Sequence, residues 1–203
     1  MCQVVHPVKN KLVLVGAGGH CRSCIDVIEQ AGQYDIVGLL DNVKPVGQSI
    51  FNYKIIGADS DIETYIRNKC SFLVTIGQIK TSKPRQRVYD ALKMQGALIA
   101  TVISPRAYVS QHAQIEMGTI VMHDALVNAG STVGENCIVN SKALIEHDVT
   151  VEKHSHISTA AVVNGGVHVK QGTFFGSNAV SKEYVNTEVG GFVKAGSIFK
   201  GAG

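Results

Sequence analysis

The segment Ile145-Glu-His147-Asp148 places an imidazole directly beside a carboxylate, and a second imidazole, His156, follows nine residues later. Neutral histidine, with an unperturbed pKa of about 6.5, can take up a proton near neutral pH, and a neighbouring carboxylate orients it and strengthens it as a base. An amine or hydroxyl must lose a proton as it adds to a thioester carbonyl. His147 is therefore a candidate general base with Asp148 as its partner. The alternative is that both are ordinary solvated surface residues.

A second candidate site is the glycine-rich sequence Gly16-Ala-Gly18-Gly19-His20, which lies between an apolar segment and a helical pattern. Glycines at such a turn let the backbone close on a phosphate at the helix N-terminus. Asp41, at the end of the next predicted strand, lies where an acidic residue would hold a ribose or sugar hydroxyl. A dinucleotide fingerprint needs a third glycine where this chain has Cys21, which disfavours an NAD-dependent dehydrogenase. A tight turn that needs glycine only for its conformation is the other interpretation.

His147 and His156 lie within a six-residue repeat that continues without insertions or deletions from Ile103 to Val180, so the structure of this repeat must position them. Its first series is apolar throughout: Ile103, Val109, Ile115, Val121, Val127, Val133, Val139, Ile145, Val151, Ile157, Val163, Val169 and Phe175. A second series, four residues after each of these, is small: Ala107, Ala113, Thr119, Ala125, Ser131, Cys137, Ala143, Val149, Ser155, Ala161, Val167, Thr173 and Ala179. A short strand followed by a tight corner has this pattern, and three such faces close a triangular coil in which residue n stacks on residue n+18. The repeat predicts a left-handed parallel β-helix.

The N-terminal part alternates strands and helices, which indicates βαβ units and a parallel, Rossmann-like sheet. Strands are predicted at 11–16, 35–41, 71–77 and 97–104, and helices at 21–31, 60–68 and 82–95. Ser60 is the predicted N-cap of the second helix, with Glu63 at capping-box spacing. We predict an α/β domain at 1–104 and a β-helix domain at 105–203. Because the repeat fails after Ala179, residues 182–203 are predicted to form a terminal cap with edge strands.

The composition narrows the class of protein. Hydrophobic residues make up 45% and charged residues 17%, which favours a folded chain over a disordered one. The net charge of +3 comes without a Lys/Arg run, so we expect neither a nucleic-acid nor a membrane partner. Segment 1–11 lacks the long apolar stretch of a signal peptide, and five cysteines without framework spacing suit a reducing cytoplasm. The lone pair Cys21-x-x-Cys24 is poor support for zinc, so no metal is expected.

Five short motifs together resemble the bacterial sugar acetyltransferases of the NeuD/PglD type: Gly18-Gly19-His20, Asp41-Asn42, Thr75-Ile-Gly77, Ile145-Glu-His147-Asp148 and Ser155-His156. That family contains sialic-acid O-acetyltransferases and UDP-4-amino-sugar N-acetyltransferases, with a small Rossmann-like domain before a left-handed β-helix. The resemblance covers roughly residues 11 to 200. It implies a cytoplasmic homotrimer in bacterial surface glycan biosynthesis, which transfers acetyl directly from acetyl-CoA to the amino group of a nucleotide-linked 4-amino sugar.

The resemblance also implies roles for individual residues. His147 would be the general base and Asp148 the partner that raises its basicity. The acetyl-CoA-binding residues would be His156, Gly165 and Ser177, with CoA between neighbouring β-helices. The nucleotide-sugar-binding residues would be Gly18, Gly19, His20, Asp41, Asn42 and Gly77. The chain departs from the family at Asp41-Asn42, where paired acids are common, and at its end, where Phe199-Lys-Gly-Ala-Gly203 replaces a Gly-x-Pro-Ala-Lys ending.

Two alternatives stay open beside N-acetylation. The first is O-acetylation of a sialic-acid-like sugar, which we favour less because a dedicated nucleotide-binding turn suits an activated sugar. The second is a non-enzymatic scaffold or a zinc site of the γ-carbonic-anhydrase kind. His147, His156 and His168 are separated by 9 and 12 residues. Because neither spacing is a multiple of 18, these histidines do not form one stacked column.

Overall fold

The computed structural model describes residues 9–202. Residues 1–8 and 203 lie outside this range, so it does not cover most of the segment considered for a signal peptide or the last residue of the predicted cap. Within residues 9–202, no helix has both the length and the apolar character that crossing a bilayer requires.

The N-terminal domain is an α/β unit built on one six-stranded sheet in the order β3-β4-β2-β1-β5-β6. Its strands are β1 (Asn10–Val15), β2 (Tyr34–Leu40), β3 (Ser49–Ile50), β4 (Tyr53–Gly57), β5 (Ser71–Val74) and β6 (Leu98–Ile99). Its helices are α1 (Gly19–Ala31), α2 (Ile62–Arg67) and α3 (Lys83–Met94), with a single 3-10 turn at Asp59–Asp61 before α2. Neighbouring strands pair in parallel except for the hairpin of β3 and β4.

Strand β1 explains why this sheet is covered on both sides. Leu12 and Leu14 pack in the same cluster as α1, whereas Val13 and Val15 pack in the cluster that contains α2 and α3. A strand buried on both faces reads as a continuous apolar run rather than an alternating one. The sheet therefore presents only its strand ends and turns to ligands.

The structure confirms the predicted alternation of strands and helices but corrects three details. Helix α2 begins at Ile62, so Ser60 is not its N-cap. The carboxylate of Asp61 instead accepts a 2.8 Å hydrogen bond from the backbone N–H of Ala58, which favours the tighter 3-10 turn. The β3–β4 hairpin was not predicted. The predicted strand 97–104 is divided into β6, which pairs with β5, and a first strand of the coils.

Three parallel sheets form the β-helix, and each is named here by its outer surface. The docked face contains β7 (Val102–Ile103), β10 (Ile120–Val121), β13 (Ile138–Val139), β16 (His156–Ile157), β19 (Phe174–Phe175) and β21 (Phe192–Val193). The apolar face contains β8 (Tyr108–Val109), β11 (Leu126–Val127), β14 (Leu144–Ile145), β17 (Val162–Val163), β20 (Val180–Ser181) and β22 (Ile198–Phe199). The polar face contains β9 (Gln114–Ile115), β12 (Thr132–Val133), β15 (Thr150–Val151) and β18 (His168–Val169).

The coils have the predicted eighteen-residue register, since Ile120 pairs with Ile138 and Leu126 with Leu144. The second residue of each strand points inward. Members of the apolar series from Val121 to Phe175 are at most 1% exposed and fill the interior. Full burial of such a side chain contributes about 1.5–3 kcal/mol. The aliphatic series is therefore the core of the β-helix.

The prediction that the repeat ends after Ala179 is wrong, because β20, β21 and β22 continue the same register. Polar residues at two inward positions conceal the pattern in the sequence. The hydroxyl of Ser181 accepts a 2.7 Å hydrogen bond from the Asn164 N–H, and that of Thr187 accepts one of 2.8 Å from the Lys170 N–H. Buried hydroxyls are tolerated when they are hydrogen-bonded in this way.

The N-terminal domain lies against the first coils of the docked face. Ile25 and Ile28 of α1 share one buried cluster with the outward residues Val102, Ile120 and Ile138. Further along the same face the outward residues change from aliphatic to His156 and Phe174. The polar and aromatic outward residues of the docked face therefore lie beyond the coils that α1 covers.

Candidate functional site

His147 and Asp148 lie at the corner between the apolar and the polar face, in the turn that joins β14 to β15. Nδ1 of His147 is 2.9 Å from Oδ2 of Asp148. Because a carboxylate only accepts, Nδ1 carries the proton and Nε2 presents its lone pair. Asp148 has a φ of 58°, in the left-handed region that Asp and Asn tolerate better than most residues. The predicted base and its partner are thus in direct contact.

Gly165 lies one coil beyond His147 and packs directly against its ring. A Cβ at position 165 would be 2.7 Å from both Cε1 and Nε2 of His147. Only glycine leaves room for the imidazole in this position. The predicted base and the predicted acetyl-CoA contact at Gly165 are therefore neighbours.

The environment of His147 makes it a stronger base. The hydrogen bond with Asp148 is the main cause that raises the pKa of His147, and the negative charges of Asp148 and Glu146 act in the same direction. Loss of hydration acts in the opposite direction, but it does not cancel these effects, and the pKa of His147 is raised overall. His147 therefore holds a proton more firmly than an isolated imidazole does.

A cleft of about 640 Å³ opens between the two domains, and we call it the interdomain cleft. It is lined by Gly19, His20, Ser23, Gly77, Gln78, Ile79, Asn140, Ser141, His156, Ser158, Thr159, Phe174 and Ser177. None of these described residues carries a carboxylate, ammonium or guanidinium group. The cleft brings three predicted sugar-binding residues together with the predicted acetyl-CoA residues His156 and Ser177.

His156 is held in one orientation inside the interdomain cleft. Its Nδ1 donates a 2.7 Å hydrogen bond to the backbone oxygen of Gln78, and its Nε2 lies 3.1 Å from the amide nitrogen of Asn140. The ring meets Phe174 edge-on at a centroid distance of 5.2 Å. Burial lowers the pKa of His156 to about 4, against the opposing effect of the Gln78 hydrogen bond. The ring is therefore neutral near physiological pH.

Two polar groups in the wall of the interdomain cleft are buried without a protein partner among the described residues. They are Nε2 of His20 and Oε1 of Gln78. Burial lowers the pKa of His20 to about 3, and the charges of Arg85 and His156 add to the effect. Buried polar atoms are normally paired with protein, water or ligand. These two are consequently candidates for contact with a bound molecule.

A second cleft of about 360 Å³ surrounds the glycine-rich turn, and we call it the turn cleft. Gly18, Asp41 and Asn42 line it, and Gly77 lines both clefts. Gly18 precedes α1 with an extended backbone, and a Cβ there would have no other atom within 4 Å. The predicted sugar-binding residues are thus divided between two clefts that meet at Gly77.

The side chains of Asp41 and Asn42 already hold the protein's own loops together. Asp41 accepts hydrogen bonds from the backbone N–H groups of Ala17, Val43 and Lys44 at 2.7–3.0 Å. Partial burial opposes ionisation of Asp41, but these bonds lower its pKa. The Asn42 amide exchanges two hydrogen bonds with Asp59. Both residues therefore shape the turn cleft in the free protein, in addition to any contact with a sugar.

The structure does not bring all predicted site residues together within one chain. His147, Asp148 and Gly165 lie at one edge of the apolar face, whereas Ser177 lies at the other edge, beside the interdomain cleft. The lining of neither cleft includes His147. The base and the clefts therefore form two separate parts of the predicted site.

The sequence interpretation missed several polar residues of the interdomain cleft and one buried cation behind it. Gln78, Asn140 and Ser158 line the cleft, and Arg85 lies fully buried on α3. Only Arg85 left a signal in the sequence. It shares the i, i+3, i+4, i+7 spacing of the buried α3 residues, which places a charge on the apolar side of an amphipathic helix.

The four cysteines within residues 9–202 are buried and line neither cleft: Cys21, Cys24, Cys70 and Cys137. Burial raises the pKa of the Cys21 thiol to about 11 and raises that of Cys24 still further. Thiols in such surroundings are poor nucleophiles. Within residues 9–202, no group of three or more His, Cys, Asp or Glu side chains is arranged to hold a metal ion.

The α/β domain and the β-helix together define the class of protein. The acetyltransferase domain of PglB from Neisseria gonorrhoeae superimposes with a TM-score of 0.88 at 26% identity, over 95% of this chain and 92% of that chain. The same domain in complex with acetyl coenzyme A gives a TM-score of 0.86 at 26% identity, over 96% of this chain and 95% of that chain. PerB from Caulobacter crescentus, in complex with CoA and GDP-perosamine, gives a TM-score of 0.87 at 24% identity, over 95% of this chain and 89% of that chain. The predicted fold class, an α/β domain before a left-handed β-helix, is confirmed.

The sequence comparison agrees with the structural one. Residues 11–92 match the family model of the PglD N-terminal domain. A search of curated proteins gives no match. The predicted resemblance to the NeuD/PglD type is thereby confirmed, and the chain is an enzyme of the acetyltransferase class. The roles of the individual residues stay predictions.

Proposed function

We propose that the protein transfers an acetyl group from acetyl-CoA to the amino group of a nucleotide-linked 4-amino sugar, with His147 as general base. The observation that carries this proposal is the corner at which His147, paired with Asp148, packs on Gly165. At this corner the free Nε2 lone pair of His147 lies beside the backbone of Gly165, which no side chain covers. That combination suits attack of an amine on a thioester.

The reaction follows from this geometry. Nε2 of His147 takes the proton from the amino group as its nitrogen forms a bond to the acetyl carbonyl carbon. Negative charge then develops on the carbonyl oxygen, and a backbone N–H aimed at that position stabilises it. We assign this role to the N–H of Gly165, because the ring of His147 lies against that residue. Collapse of the tetrahedral intermediate breaks the C–S bond, and His147 returns its proton to the departing thiolate.

The two clefts suit different parts of the substrates. The interdomain cleft offers hydroxyl, amide and neutral imidazole groups, which match the uncharged pantetheine arm and sugar ring. The turn cleft contains Gly18 at the start of α1 and the side chain of Arg87. Helix N-termini and guanidinium groups both favour phosphate oxygens. We therefore assign the nucleotide diphosphate to the turn cleft and the sugar to the region of Gly77, where the clefts meet.

A homotrimer would complete the site across two chains. The corner before the apolar face carries Ser158 and Ser177 of the interdomain cleft, and the corner after it carries His147 and Gly165. In a ring of three chains whose apolar faces turn toward the axis, the first corner of one chain meets the second corner of its neighbour. The base of one chain would then reach the cleft of the next.

The composition of the apolar face supports this assembly. Its outward residues are Tyr108, Leu126, Leu144, Val162, Val180 and Ile198. Tyr108 is 60% exposed and Ile198 is 69% exposed in the single chain. Contiguous exposed apolar surface usually marks an interaction site. The polar face, with Thr132 and Thr150 outward, lacks this character.

The direct test is thiol release from acetyl-CoA across a panel of UDP- and GDP-linked 4-amino sugars and free sialic acids. For the active acceptor, His147→Ala should lower kcat by about 10²–10⁴, the usual contribution of a general base. The matched control is His112→Ala, because His112 is an exposed histidine on the same edge of the β-helix, near β8 and β9. This control should keep wild-type kinetics.

Two outcomes would change the proposal. Activity only with sialic acids would replace N-acetylation by O-acetylation. Wild-type kcat in His147→Ala, together with an inactive His156→Ala, would move the base into the interdomain cleft.

A further inference from the structure

Arg85 is a fully buried cation whose hydrogen-bond partners are all backbone carbonyls. Its Nη1 donates to the oxygens of Val74 and Ile76 at 2.5 and 3.1 Å. Its Nε donates to Asn136 O at 3.2 Å, and its Nη2 lies 3.5 Å from Gly118 O. No carboxylate is among these partners. Four carbonyl dipoles therefore take the place of a counter-ion.

The four carbonyls belong to both domains. Val74 is the last residue of strand β5 in the N-terminal sheet and Ile76 lies two residues beyond it, whereas Gly118 and Asn136 occupy equivalent positions on successive coils, eighteen residues apart. Burial lowers the pKa of Arg85 to about 10, so the group is still charged at neutral pH. Burying a charge is costly unless polar partners surround it. Arg85 therefore strongly favours one arrangement of the strand end on the coils.

The strand end that Arg85 holds leads directly into the walls of both clefts. Gly77, which follows Ile76, lines the turn cleft and the interdomain cleft. Gln78 then accepts the hydrogen bond of His156, and its side-chain nitrogen donates to Gly172 O at 3.1 Å. We propose that Arg85 is a positioning residue that fixes segment 74–78 on the β-helix and thereby shapes both clefts for the nucleotide sugar.

This role requires the shape of arginine as well as its charge. The planar guanidinium directs its N–H groups outward in a fixed fork, so that it can reach carbonyls on separate elements. A lysine ammonium concentrates its donors on one nitrogen and cannot span the strand end and two coils. Burial is the main cause that lowers the pKa of His20 and of His156, and the charge of Arg85 acts in the same direction, so both rings of the interdomain cleft stay neutral.

The test compares Arg85→Lys with Leu92→Ala in the full-length protein. Leu92 is a buried residue of the same helix, so its truncation lowers stability without touching the carbonyls that Arg85 binds. In Arg85→Lys we expect amide hydrogen exchange in a peptide covering 74–80 to rise about tenfold or more. Leu92→Ala should lower Tm but leave that peptide relatively protected.

The kinetic arm of the experiment rests on the proposed function. With the acceptor found in the thiol-release panel, Arg85→Lys should raise the KM for the nucleotide sugar about tenfold and change kcat much less. Leu92→Ala should leave this KM unchanged. Wild-type KM and exchange in Arg85→Lys, or equal effects of both variants, would overturn the proposal.

A third measurement separates this proposal from the proposed function. NMR titration of the His20 ring needs no substrate. Arg85→Met removes the charge and should raise the pKa of His20, whereas Arg85→Lys should leave it near the wild-type value. If no acceptor is ever found, the exchange and titration results still decide the role of Arg85. An unchanged His20 pKa in Arg85→Met would count against its electrostatic part.

Discussion

Replacing Gly165 by alanine tests whether the close packing of His147 on this residue matters for catalysis. Gly165 has no positive φ, so alanine can adopt its backbone conformation. Positions 129, 147 and 165 are equivalent on successive coils, and position 129 is already an alanine, Ala129. The corner therefore accepts alanine at this position of the repeat. We therefore expect Gly165→Ala to fold and to assemble like the wild type.

The size of the effect follows from the contact distance. The new Cβ would lie 2.7 Å from Cε1 and Nε2 of His147, whereas carbon atoms normally stay about 3.5 Å apart or more. The imidazole must move by roughly 0.8 Å, and a misplacement near 1 Å costs about 10²-fold in rate. We expect kcat to fall about 10- to 100-fold, which is less than the loss in His147→Ala.

Thiol release from acetyl-CoA at saturating acceptor measures this fall, and a double variant shows its cause. If Gly165→Ala acts only by displacing the imidazole, it should add nothing to the loss already caused by His147→Ala. Wild-type kcat in Gly165→Ala would refute the importance of the contact. A further loss in the double variant would show that position 165 acts independently of the base.

Three other changes test the rest of the site. Gly18→Val places a side chain in open space at the start of α1, so it should raise the KM for the nucleotide sugar about tenfold while acetyl-CoA binding, measured by calorimetry, stays the same; an equal loss of both would indicate a folding defect. Asp148→Asn keeps a residue suited to positive φ but removes the charge that raises the pKa of His147. The acid limb of the pH profile of kcat/KM should therefore move to lower pH. An acid limb that does not move would exclude Asp148 as the partner of His147. In light scattering the molar mass of the wild type should be three times the chain mass of 21.7 kDa. Leu126→Glu on the apolar face should lower this molar mass, whereas Thr132→Glu on the polar face should leave it unchanged. A monomeric wild type would contradict the trimer.

The fold was predictable where a single period governed the sequence. The β-helix core follows from the six-residue series because each inward aliphatic has the same environment as the one before it. The prediction failed at Ser181 and Thr187, where hydrogen bonds to backbone N–H groups replace apolar contacts. The short hairpin of β3 and β4 lacks a periodic signal, since it consists of seven strand residues around a two-residue turn.

The site was predictable only as two halves. Adjacent residues such as His147 and Asp148 can be recognised as a pair directly from the sequence. The contact of Gln78 with His156 joins residues 78 positions apart in different domains. Such a contact depends on how α1 and the strand ends dock on the coils, which no local pattern encodes. For the same reason, the separation of His147 from the clefts could be seen only in three dimensions.

The eighteen-residue register determines the axial positions at which the β-helix can place a catalytic base. The N-terminal domain is fixed on the first coils, and the base stands a set number of coils further along the axis. Inserting or deleting one residue between them would move every later residue to the neighbouring position of its hexapeptide, so that the inward aliphatic side chains of the strands would no longer point into the core. Adding a whole coil would keep each side chain on its face and lift the base by about 4.8 Å, the spacing of neighbouring strands. The height of the base above the docked domain can therefore change only in whole steps of this size, so evolution and protein engineering can adjust it only one coil at a time.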